Sequence, residues 1–103
     1  MKTNGQLEHT IDELDCGPIT WRGIEVGQMV AYSVVITCEY IYDDSDDGYV
    51  DSEAVKVCDA QVSTFGEEVR TASSAECREI AKILNEDRKW NERIDDLCMA
   101  CCQ

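Results

Sequence analysis

The sequence predicts an α+β domain: an antiparallel sheet of three to four strands over residues 19–72, packed against C-terminal helical structure over residues 73–103. Three observations carry that expectation. Residues 29–42 place Val30, Tyr32, Val34, Ile36, Cys38, Tyr40 and Tyr42 at every second position, the period of a strand with one packed face. Val and Ile together number seventeen against four Leu, a bias toward β structure. Residues 75–102 contain neither Gly nor Pro, and Cys77, Ile80, Leu84, Ile94, Leu97 and Cys101 recur there at helical spacing.

Each element follows in chain order. Residues 1–18 are polar and close on Cys16-Gly17-Pro18, a turn signal that sets off an N-terminal arm. Leu7, Ile11 and Leu14 predict one short amphipathic helix over residues 6–14, which forms only if docked because so short a helix is marginal alone. Ile19-Thr20-Trp21-Arg22-Gly23-Ile24-Glu25-Val26 reads as a strand with a bulge at Gly23, and Gly27-Gln28 as the turn into the long strand. Residues 43–52 form a polar loop with Asp-Gly at 47 and 48, and Val55, Val57 and Val62 resume the strand pattern over residues 53–65 as the second arm of a long hairpin. In that hairpin Cys38 and Cys58 approach in sequence register, but a turn offset of one residue separates their faces, so register alone does not imply a disulfide. A short edge segment is expected near Val69. Ser73-x-x-Glu76 is a capping box opening the helical region, and Asn85-Glu86-Asp87 is where that region is expected to break and recap as a second helix. The core stripe Cys77, Ile80, Leu84, Trp90, Ile94 and Leu97 is expected to lie on Val30, Tyr32, Val34 and Ile36.

Composition bounds function mostly by exclusion. The 103 residues include 22 acidic and 9 basic side chains, a net charge of −13. Direct nucleic-acid binding and docking on anionic membranes both require a surplus of Lys and Arg, so neither is expected. No stretch approaches the roughly 18 apolar residues of a membrane span, and residues 1–15 lack the apolar run of a signal peptide. The odd set Cys16, Cys38, Cys58, Cys77, Cys98, Cys101 and Cys102 then reads as reduced thiols in a cytoplasmic protein. His9 is the single histidine, and no phosphate-binding loop, dinucleotide fingerprint or nucleophile elbow occurs, so an enzyme is not expected. No cofactor is expected. Cys98-x-x-Cys101 offers two thiols on one helical face, but a closed zinc site needs two further ligands and no second such pair exists.

The charge is unevenly distributed. Residues 74–103 hold seven acidic and five basic side chains, whereas residues 39–59 hold eight acidic residues against Lys56. The candidate binding residues are Asp43, Asp44, Asp46, Asp47, Asp51 and Glu53. Asp43, Ser45, Asp47, Gly48, Val50 and Asp51 also resemble the first three quarters of an EF-hand calcium loop, but Ala54 stands where the bidentate glutamate belongs and the flanks read as strands. Weak calcium binding is therefore a third reading.

In size, charge and architecture the chain resembles the small acidic inhibitors encoded by phages and mobile elements, including DNA-mimic anti-restriction and anti-CRISPR proteins. The segment at residues 19–26, followed by a hairpin and a C-terminal helix, also looks like small phage proteins. The resemblance implies a non-enzymatic inhibitor in the host cytoplasm that occupies the basic, nucleic-acid-binding surface of a partner protein. It carries over no functional residue. The second reading is an assembly module of such an element, homodimeric through the C-terminal helix.

Overall fold

A computed structural model describes residues 2–44, 48–64 and 68–101. Strand β1 (Lys2–Trp21) runs antiparallel to β2 (Ile24–Asp43), and the two turn at Arg22-Gly23. Both turn residues have positive φ, 51° and 79°, the conformation of a type I′ hairpin whose twist matches that of its strands. The expected bulge at Gly23 and turn at Gly27-Gln28 are therefore corrected: the turn sits five residues earlier, and Gly27 pairs with Ile19 inside the ladder.

The expected arm and its short helix are replaced by β1. Leu7, His9 and Ile11 alternate with Glu8 and Thr10 toward the inner face, so a four-residue spacing that mimics a helix serves a strand equally well. Pairing with β2 supplies the backbone ladder that a nine-residue helix would have had to nucleate unaided. Cys16-Gly17-Pro18 does not leave the sheet. Cys16 and Gly17 stand against Met29 alone in a β-bulge, Gly17 taking φ 80° while its N–H bonds the Asp15 carboxylate at 2.9 Å. Pro18 is tolerated because β1 is an edge strand.

Strand β3 (Tyr49–Ser52) pairs with the end of β2, and β4 (Lys56–Thr64) pairs with β2 further along. The two-residue β5 (Arg70–Thr71) adds to β4. Among the described residues five strands thus replace the expected three to four, because Tyr49–Ser52, expected within the polar loop of residues 43–52, pairs with the end of β2 as a strand of its own. The path is β1-β2-β4-β5 with β3 also on β2.

The pleat switches at one level across three strands. On β2 the buried residues are Val34, Ile36, Cys38 and Tyr40 beyond Ser33, but Ala31 before it, and Ser33 takes φ 50°. On β1 the switch falls between Ile11 and Leu14, and on β4 between half-buried Val57 and buried Ala60, where the β2–β4 register also shifts. Val30 and Tyr32, expected in the core, are consequently only half-buried, and Ala31 takes the place expected of them.

Helix α1 (Ser74–Glu86) and helix α2 (Arg88–Cys101) cover the inner face. Ser73 and Glu76 close the expected capping box, Ser73 Oγ accepting from Glu76 N–H at 3.2 Å and Glu76 Oε1 from Ser73 N–H at 2.9 Å. Arg70 grips both Glu76 oxygens at 2.6 and 2.8 Å, and its guanidinium holds the Glu76 carboxyl down at about 2. The helices divide at Asp87, as expected: its N–H caps the Ile83 carbonyl, and its carboxylate accepts from Lys89 N–H at 2.9 Å to open α2. Ile80, Leu84, Ile94 and Cys98 are the buried stripe, whereas Cys77, Trp90 and Leu97, expected within it, are only half-buried and Cys101, part of the same helical series, is exposed. Asn85 fastens α1 to the sheet by accepting from Val55 N–H at 2.8 Å and donating to the Val55 carbonyl at 3.1 Å.

Candidate functional site

With the helices on one face, alternation exposes the other. Directly opposed residues of antiparallel strands share a face. Gln6 opposes Glu39, Asn4 opposes Ile41, Glu8 opposes Thr37, and Ile41 in turn opposes Asp51. Glu53 N–H donates to the Glu39 carbonyl at 2.8 Å, which brings the Glu53 backbone beside Glu39 just beyond β3. Asn4, Gln6, Glu39, Ile41, Asp51 and Glu53 line one shallow cleft of about 440 Å³. Glu8, Glu39, Asp51 and Glu53 are exposed around it, and Ile41, 42% exposed, is an apolar spot among them. Lys2, opposite Asp43, and Lys56, opposite Thr37, stand at the two ends of this stretch.

The six sequence-predicted residues divide four ways. Asp51 and Glu53 join the cleft, and Asp44 is exposed beside the β2–β3 loop. Asp43 is 9% exposed at the end of β2, where it pairs with Lys2 and Tyr49, so it belongs to the hairpin rather than to an open surface. Asp46 and Asp47 lie outside the described residues. Asn4, Gln6 and Glu8 were missed because β1 was expected as an arm, and Glu39 because it lies on the strand before the acidic loop rather than in it. Strand alternation carried through residues 2–11 is the signal that would have found them.

The calcium reading loses its scaffold here. Asp43 and Asp51 sit in paired strands rather than in a loop between helices, and Ser45 and Asp47 lie outside the described residues. Among the described residues no group of three or more His, Cys, Asp or Glu is placed to hold a metal ion. No helix among them is long and apolar enough to cross a membrane.

The thiols are divided by depth. Cys38 and Cys98 are both buried in the core between sheet and helices, and Cys38 donates to the Glu53 carbonyl at 3.1 Å. Burial, reinforced by the neighbouring Cys38, pushes the Cys98 thiol up to about 12, so the pair stays neutral and packs as small apolar groups. Cys58 lies exposed near Thr37, its sulfur 3.6 Å from the Thr37 hydroxyl, so it occupies the face opposite Cys38 and the two do not meet. His9 is half-buried on the inner side, lining a groove with Trp90 and Arg93, rather than solvated in an arm.

Comparison with protein-family models, with curated protein sequences and with solved structures finds no match to this chain.

Proposed function

We propose that this chain is a non-enzymatic binding protein that lays the acidic outer face of its sheet on a basic, nucleic-acid-handling partner and blocks that partner's surface. The observation that supports the reading is the single-sign set of Glu8, Glu39 and Asp51 on three adjoining strands, with Glu53 just beyond β3, around exposed Ile41. Like charges on adjacent strands cost stability, and a cationic partner relieves that cost on docking. Rigid strands fix the carboxylates before binding, so little ordering entropy opposes association. The resemblance to small acidic inhibitors of phages and mobile elements points the same way.

The assembly reading is less favoured. The stripe that a helical seam between copies would need, Ile80, Leu84, Ile94 and Cys98, is spent on the chain's own sheet. Ile94→Asp would therefore unfold the monomer rather than split a dimer.

The test is a variant with Glu39, Asp51 and Glu53 all changed to Lys, its fold checked by circular dichroism. The wild-type chain should capture a basic protein from host lysate, release nucleic acid from it, and bind less tightly as salt rises. The triple variant should do neither. Equal capture by the variant, or a captured protein that keeps its nucleic acid, overturns the reading. A parallel variant reversing Asp44, Asp46 and Asp47 measures what the loop adds.

A further inference from the structure

Strand β1 ends the sheet, so among the described residues one of its edges faces no other strand from Lys2 to Trp21. Such an edge offers a row of backbone N–H and C=O groups to any extended chain. Beside its middle runs a groove of about 370 Å³ lined by His9–Glu13 on the strand and by Trp90 and Arg93 on α2. A strand added to β1 would alternate, one set of side chains entering this groove against half-buried Trp90 and the other lying beside Glu8 and Thr10. Arg93 already stacks on the Trp90 ring at 4.9 Å, which holds the indole as a wall of the groove.

The charge on the edge selects the occupant. Glu8, Asp12, Glu13 and Asp15 are all exposed along β1. Two copies of this chain paired through β1 would set these carboxylates against one another, which disfavours the homotypic sheet. A segment alternating cationic and small apolar residues would satisfy both the carboxylates and the groove. We infer that β1 is a docking edge for an extended cationic segment of a partner protein, which extends the sheet by one strand and seats its apolar residues against Trp90. The surface is separate from the outer-face cleft, although the partner chemistry is the same as in the function proposed above.

The experiment uses the full chain and a ten-residue peptide of alternating Lys and Val. Alternate amides of β1 between Gln6 and Glu13, those pointing off the sheet, should slow in hydrogen exchange by about tenfold or more when the peptide is present. Changing Asp12 and Glu13 to Lys should weaken peptide binding by about tenfold or more, whereas changing Glu39, Asp51 and Glu53 should weaken it much less. No slowing of β1 amides, or equal weakening by the two variants, overturns the inference and leaves the outer-face reading standing. A peptide-free dimer with protected β1 amides overturns it as well, by giving the edge to a second copy.

Discussion

The inner and outer faces of this sheet are built from alternate residues of the same strands, yet they obey opposite rules. Inside, Val34, Ile36, Cys38 and Val62 pack with Ile80, Leu84, Ile94 and Cys98, all nearly solvent-free. Outside, one residue along, Glu39, Ile41, Asp51 and Glu53 meet water. The inner set is held by close packing, where each lost methylene is felt. The outer set touches little, so its residues answer to charge and solubility. A substitution's effect should therefore depend on its face more than on its strand.

The largest expected difference comes from the core. Leu84→Ala empties a fully buried position and should cost about 2–5 kcal/mol in urea unfolding. A cost below about 1 kcal/mol would mean that α1 is not seated as described.

Alkaline pH should separate the faces next. Cys98 is raised to about 12 and Cys16 to about 11, against an ordinary value of 9.0. A raised folded value means that the folded chain keeps its proton while the unfolded chain loses it. Stability is thus fully present below pH 9 and declines as pH rises from 9 toward 12, each thiol contributing at most about 1.4 kcal/mol per pH unit. Replacing Cys98 by Val should flatten the fall in the denaturant midpoint over that range.

Asn85→Ala removes both hydrogen bonds to Val55 and should cost about 1–3 kcal/mol, read as a lower thermal midpoint. On the outer face, Glu39→Gln should change stability by less than about 0.5 kcal/mol, with any change in the stabilising direction as one like charge is removed. A loss above 1 kcal/mol there would show that the face is structural, and the two-face contrast would fail.

Legibility in the sequence followed the same division. The long strand, the capping box at Ser73 and the helix break at Asp87 were all readable, because each rests on local pattern: alternation, a four-residue cap, and a polar triplet between two apolar stripes. Residues 2–18 were not. Leu7, Ile11 and Leu14 fit a helix by spacing, and only the pleat switch near Ser33, a property of the partner strand, lets all three face inward from a strand. The acidic site was half legible for a related reason. Charge counting finds Asp51 and Glu53, but which carboxylates share a face depends on pairing that no single segment encodes.

The steps at Gly17 and Ser33 have a mechanical consequence. A ribbon of two 20-residue strands invites slippage by two residues, since such a slide keeps every side chain on its own face. Here a slide would carry the extra residue of the Cys16-Gly17 bulge, and the pleat step at Ser33, out of step with the partner strand. They act as detents in a rail, holding the ribbon at one setting along its length.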